Sequence, residues 1–407
     1  MRATRVIYVA VAAAAILLGP ACTDKRLSDY ETDLTVLDRE LASIPREAGP
    51  AARAEALYRR ASLTGNPEDF LRAGSAADEV IRQTGPVEEF VLAKADLDLK
   101  RHRPVQAGSD LQLIWDLEDN VAGRTLQADI DLQRGRYADA RRIYENVIEE
   151  EPTWDRLARL AYLESLTGDA VGADALYAKA EDEITAKELR AYAWVEVQRG
   201  ALAFAHGLHE AAVAHYRRAQ RAYSGYWAVE ERIAELLGAQ RHFTKAITLY
   251  RQVLARTSRP EIAQALGDLY AFMGEVEEAK PWHDRALAVY LESAQRGDNS
   301  YPHQLAGFYA DVLLDGSEAV RWARKDLEQR RDPAAHDALA WALYRNGEYE
   351  AAYEEIRLAL SSGIADANLY FHAAMISTAA GHSDEGRKLL QRTAVLNPQY
   401  TSFHAHR

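Results

Sequence analysis

A single cysteine, Cys22, stands in the 407-residue chain, so no internal disulfide can form and packing has to hold the fold. The apolar run from Val6 to Leu18 covers 13 residues, short of the roughly 20 that a helix needs to cross a bilayer. Positive charge is scarce: 49 Lys and Arg face 62 Asp and Glu, a formal charge of −13. Residues 1–21 carry Arg2 and Arg5 and no acid, so the chain without them stands at −15. That balance argues against nucleic acid as a partner, because phosphates must be neutralised by Lys and Arg. Also missing are a Ser/Gly-rich linker, a low-complexity break, a Gly-rich phosphate loop and a Gly-x-Ser-x-Gly elbow. What remains is one continuous architecture.

Its frame is a ladder of small residues. Ala140, Ala173, Ala212, Ala246, Ala279, Ala319, Ala352 and Gly386 stand 33, 39, 34, 33, 40, 33 and 34 positions apart. Paired helices need small side chains where their backbones cross closely, because a larger group would open a void. Gly135, Gly168, Gly207, Gly274, Gly347 and Gly381 each precede a ladder residue by five, where a short interhelical turn needs positive φ. Tyr144, Tyr177, Tyr216 and Tyr250 follow their ladder residues by four, one helical turn on. Pro152 and Pro398 lie twelve beyond theirs, where a helix must stop. These positions describe stacked helical hairpins.

Leu266-Gly267, Tyr270, Gly274, Ala279 and Ala286 occupy the signature offsets of a 34-residue unit, and the chain resembles the tetratricopeptide repeat on these residues. Segments from Val121, Trp154, Trp194, Trp227, Ser300, Pro333 and Ala367 follow the pattern with gaps, and Ala73 with Ala107 extends the ladder towards the N-terminus. The resemblance implies an all-α, right-handed superhelical solenoid of roughly ten helix-turn-helix repeats. Repeats are expected from about residues 54, 88, 121, 154, 193, 227, 260, 300, 333 and 367 within a solenoid spanning 51–400, followed by a tail at 401–407. Each pair is expected to bury its apolar side only against its neighbours, leaving a curved inner wall open. Departures are Arg241 at a turn glycine, Gly386 on the ladder, and the spacings of 39 and 40, which predict longer helices near 181–192 and 287–299.

Two arginines, the apolar run and Gly19-Pro20-Ala21 before Cys22 are similar to a bacterial lipoprotein signal, with residues 1–21 as signal peptide. That resemblance implies lipid attachment at Cys22 and export to the periplasm, with Thr23 leaning towards the outer membrane; simple cleavage of the signal and an uncleaved anchor are the alternatives. A tether over 22–27 precedes a capping helix at 28–50. Ser28 with Glu31 forms a capping box there, and Tyr30, Leu34, Leu37 and Leu41 form one stripe.

In the family, the second, fifth, ninth and twelfth residues of each first helix face the concave groove. Carried onto the last three repeats, those places select Tyr301, Gln304, Phe308 and Asp311, then Asp337, Trp341 and Tyr344, then Asn368, Phe371, Met375 and Thr378. The middle repeats give Asp129, Leu132, Tyr162, Phe204, Glu231, Glu235, Gln264 and Asp268, a more acidic stretch. Aromatic anchors with a carboxylate rim suit an extended peptide or a helix bearing Lys or Arg. Packing against the next repeat is the competing role for the aromatics. The groove lacks the Lys and Arg with which one family subtype grips a terminal carboxylate.

No cofactor, metal or catalytic residue is expected. His209-Glu210 and His215 differ from the zinc-protease helix in an interval of six rather than four. His303 and His336 share the fourth place of their repeats, where a ring fills the interface, and His404 with His406 in the tail offers only adventitious ligands. The expected function is a non-catalytic, lipid-anchored scaffold of the cell envelope that binds a protein or peptide. Glycan binding by aromatic faces is a second class. An all-helical carbohydrate-active enzyme, with Asp311 and Asp337 as its carboxylates, is a third.

Overall fold

The computed structural model describes residues 27–405 apart from residue 299; the expected signal peptide over 1–21, the expected lipid site Cys22 and His406 lie outside them. Among the described residues there are 21 α-helices and no strand. Ten hairpins follow the first helix, Asp29–Ser43, and their leading helices begin at Pro50, Glu88, Val121, Trp154, Leu189, Trp227, Pro260, Pro302, Pro333 and Ala367. Among the described residues, no helix is long and apolar enough to cross a membrane.

The ladder explains why the hairpins close. Ala73, Ala107, Ala140, Ala173, Ala212, Ala246, Ala279, Ala319 and Ala352 all lie on second helices and are at most 2% exposed. At Gly386 the partner helix comes nearer still: an added Cβ would stand 2.2 Å from Thr378 Oγ1 and 2.9 Å from the Ala374 carbonyl oxygen. Tyr144, Tyr177, Tyr216 and Tyr250, one turn beyond their ladder residues, fill the hairpin interior and are likewise buried.

The turns share one geometry. Nine positions, each five residues before the ladder, have positive φ: Gly135, Gly168, Gly207, Gly274, Gly347 and Gly381, but also His102, Arg241 and Leu314 at 56°, 61° and 56°. Beyond each of eight of them the next N–H reaches back five residues, as Arg136 does to the Asp131 carbonyl and Glu348 to that of Leu343. This 6→1 bond satisfies a carbonyl that the helix end would orphan. The wide spacings resolve differently. Helix Val276–Gln295 runs for 20 residues, whereas the extra length before Ala212 is split between the loop 184–188 and the 17-residue helix Leu189–Ala205. Helix Pro302–Gly307 passes into a π turn at Phe308–Val312, an inserted residue that offsets everything after it.

Leading helices of successive hairpins pack on one another while the second helices spread apart, so the leading helices form the inside of the curve. The expectation of packing against neighbours alone is corrected here, because the coil closes on itself. Ser28 and Glu31 form the capping box of helix Asp29–Ser43, and Tyr30 is 1% exposed. Its burial comes from Ala193, Tyr223, Tyr226 and Val229 as well as from Leu63. Thr257 donates to Asn66 at 2.7 Å, Arg259 to the Gly65 carbonyl at 3.0 Å, and Arg101 to Asp298 at 2.7 Å, over separations of 191, 194 and 197 positions. Further along, Ala365 N–H donates to the Leu166 carbonyl at 3.0 Å. At about 34 residues per repeat, one turn of the superhelix takes about six repeats. The physical reason is that polar groups at the interhelical turns, main-chain oxygens such as those of Gly65 and Leu166 and side chains such as Asn66 and Asp298, find donors one turn on.

Candidate functional site

The ninth residue of a leading helix points along the inner wall, counted from the observed helix starts: Tyr58, Asp96, Asp129, Tyr162, Glu235, Asp268, Trp341 and Met375. Spacings of four and three place Asp337, Trp341 and Tyr344 on one face of helix Pro333–Arg345. The indole N–H of Trp341 donates to both carboxylate oxygens of Asp311, at 3.1 and 3.0 Å. Its ring stacks on His372, with centroids 4.1 Å apart and planes 11° apart, and on Tyr344 at 4.9 Å and 22°. His372 Nδ1 in turn lies 3.0 and 3.1 Å from the two oxygens of Asp337. Arg345 adds its guanidinium 5.9 Å from the Trp341 ring and donates through Nε to the Ala310 carbonyl at 2.9 Å. Three repeats thus contribute to one aromatic and carboxylate cluster.

Charge is tuned within it. Burial raises the Asp311 carboxyl above its usual value, with the Trp341 hydrogen bond pulling the other way. Burial also works against a charged His372, but the charge and hydrogen bond of Asp337, then Asp311 and Asp366, override it and raise the imidazole pKa. The imidazole is thereby held between carboxylates and stacked on an indole.

Two of the expected groove residues are core instead. Tyr301 is 6% exposed and its ring lies 4.9 Å from Tyr290, while Phe308 is 1% exposed, edge-on to His283 at 5.6 Å. The reason is phase: this leading helix starts at Pro302, which leaves Tyr301 as its cap outside the helix and makes Phe308 the seventh residue rather than the ninth. Gln304, Asn368, Phe371 and Met375 are half-buried and Thr378 is exposed. Phe371 packs 6.1 Å from Tyr400, just before the tail.

The acidic stretch is internally matched. Asp129 accepts from Tyr144 at 2.6 Å and from Arg159 at 3.0 Å, Glu235 from Arg232 at 2.9 Å, and Asp268 faces His283 Nε2 at 2.8 Å. Arg159 and Arg232 correct the expectation of a groove without arginine. Both stand in the sixth place of their helices, beside the inward ninth, so their long side chains reach the wall from a position that the family pattern leaves out. Gln264 accepts from Tyr290 at 2.9 Å. The histidines first weighed as ligands each meet a carboxylate: His215 Nδ1 lies 2.6 Å from Glu196, His303 Nδ1 3.0 Å from Asp326 and His336 Nδ1 2.8 Å from Glu355.

A cavity of about 350 Å³ opens on the inner wall of the first four hairpins. Ala54, Phe90, Leu97 and Leu126 make its floor, and Tyr58, Asp96 and Arg159 its polar side, with Tyr58 donating to Asp96 at 2.9 Å. Sequence reasoning passed over it, although Tyr58 and Asp96 hold the same ninth place as Trp341.

No family model matches the chain. A curated relative, a TPR repeat-containing protein named YpiA from Bacillus subtilis (strain 168), is 28% identical over 177 residues, which is 41% of this chain. The match spans 39% of that relative's length. Among solved structures, the chain is similar to the APC/C hetero-tetramer Cut9-Hcn1, at 16% identity and a TM-score of 0.45, over 91% of this chain and 78% of that one. It is also similar to MamA, at 19% identity and a TM-score of 0.33, over 41% of this chain and 96% of that one. The ladder and the turn geometry agree with the repeat that this relative's name describes, and over the matched residues the chain is similar to a TPR repeat-containing protein.

Proposed function

We propose that the chain is a non-catalytic interaction scaffold whose inner wall receives a peptide or protein segment, held at the cell envelope through a lipid on Cys22. The observation that carries the groove reading is the Trp341 ring, fixed by Asp311 and His372 before any partner arrives. A preorganised anchor loses little freedom on binding, which is where aromatic anchors gain their affinity. The rim carboxylates suit a partner with Lys or Arg.

The glycan alternative is less favoured, because stacking on a sugar needs an open ring face. Phe308 is buried and Trp341 already stacks on two neighbours. The enzyme alternative is less favoured too: Asp311 is engaged by the indole and Asp337 by His372. The envelope part rests on residues 1–22. Cys22 lies six positions before Ser28, a reach of about 20 Å, so an acylated Cys22 would hold the coil against the bilayer.

Two experiments test this reading. Capture of envelope proteins by the solubilised chain should fall at least tenfold on Trp341→Ala while helical content stays; unchanged capture would remove the groove from the account. Labelled fatty acid should enter the wild type and not Cys22→Ser, and equal labelling would refute lipid attachment there.

A further inference from the structure

The inner wall of the fifth to seventh hairpins already holds a short peptide, and that peptide is the chain's own. After helix Ser383–Leu396 the backbone passes Gly207, whose absent Cβ would lie 2.7 Å from Asn397 Oδ1, and then turns inward. Phe403 ends 3% exposed against Leu269 and 5.7 Å from the Phe272 ring. Room for it exists only because residue 238 is glycine: a Cβ there would stand 2.6 Å from Phe403 Cδ1. Glycine inside a helix costs about 1 kcal/mol relative to alanine, so this position gives up helix stability to accommodate a ring.

The next residues are read by one carboxylate. Glu235 is 1% exposed, and its Oε1 accepts the Ala405 N–H at 2.9 Å and lies 2.9 Å from His404 Nδ1. Its other oxygen accepts from Arg232 at 2.9 Å. The His404 ring packs 4.9 Å from Phe204. A carboxylate so buried needs donors on both oxygens, and the tail provides those of one. Residues 403–405 are not helical, and a cleft of about 620 Å³ beside Gln240, Thr401 and Ser402 brings solvent to the segment's flank.

We propose that this notch is a peptide-recognition site for an aromatic side chain followed by a basic or imidazole one, and that residues 403–405 are its intramolecular occupant, displaced when a partner peptide of that chemistry binds. The site is separate from the Trp341 cluster and does not depend on it.

The test uses a fluorescent peptide of residues 398–407 and two forms of the protein, the intact chain and one ending at Gln399. Polarisation should show the peptide binding the shortened chain at least tenfold more tightly than the intact one. Alanine at the peptide's Phe, or Gly238→Ala in the protein, should remove that binding, and Trp341→Ala should leave it unchanged. Equal affinity for both forms, or binding indifferent to Gly238→Ala, would overturn the proposal. Should the shortened chain fail to melt cooperatively, hydrogen exchange on the intact chain decides. Excess peptide should speed exchange of the Ala405 amide at least tenfold, and unchanged protection would overturn the proposal.

Discussion

The backbone N–H of Tyr30 donates to the carbonyl oxygen of Ser224 at 3.2 Å, which fastens the first described helix to a hairpin one superhelical turn along. Asp29 strengthens the joint by accepting from the Ser224 N–H at 2.8 Å and from its hydroxyl at 2.7 Å. Next to it, Trp227 donates to the Leu63 carbonyl at 3.2 Å, and the Arg259 guanidinium lies 4.7 Å from its ring. The stack is therefore a closed coil.

Trp227→Ala should accordingly destabilise the protein by about 2 to 3 kcal/mol, below the range for a fully buried tryptophan because this ring is half-buried. It should also loosen the coil. Small-angle scattering would record a larger radius of gyration alongside a lower Tm. Unchanged values of both would mean that the seam contributes nothing.

Arg241 occupies a glycine place at φ 61°, a conformation that costs an L side chain about 1 kcal/mol. Arg241→Gly should raise stability by about that amount. Gly347→Ala supplies the reverse test, since φ there is 82° and nothing lies within 4 Å of an added Cβ, so the backbone term acts alone. It should cost about 1 kcal/mol in denaturant titration.

Gly386→Ala sets two effects against each other. Helix propensity would favour alanine by about 1 kcal/mol, yet the new Cβ meets the Ala374 carbonyl at 2.9 Å, a backbone atom that cannot step aside. The clash should win, with a net loss of about 1 to 3 kcal/mol in thermal or urea unfolding. A gain in stability would show that the helices can separate there at no cost.

His372 has a raised pKa in the folded chain, so its contribution to stability is fully present below the unfolded value of about 6.5 and is lost as pH rises through the folded value. The Tm difference between wild type and His372→Gln should therefore be larger at pH 6 than at pH 9. A difference that is flat or grows with pH would contradict an imidazole pKa raised by Asp337.

How much of this was legible in the sequence follows from the range of the forces involved. Ala140 to Gly386, the turn glycines and the Ser28 to Glu31 box act within one hairpin or cap, and local contacts leave periodic marks. Closure leaves none. Its partners lie 164 to 199 positions apart, and several acceptors are main-chain oxygens, such as those of Gly65 and Leu166, whose position no side-chain pattern reports. Tyr301 and Phe308 were misplaced because the groove assignment depended on a helix start two residues too early, and a small error of phase turns a side chain to another face. Arg159 and Arg232 escaped notice because a long side chain reaches a surface that its own Cα does not face. Gly238 and Phe403 were beyond reach: the ring and the gap that receives it are 165 positions apart.

The central claim, that the inner wall is the capturing surface, is tested most directly by site-specific photocrosslinking in cells. A photoreactive residue at Tyr344, beside the Trp341 ring, should form a discrete partner adduct that Trp341→Ala suppresses, while the same probe at Val395, 82% exposed on the outer helix, should form none. Adducts from Val395 with none from Tyr344 would contradict the account and move recognition to the convex side.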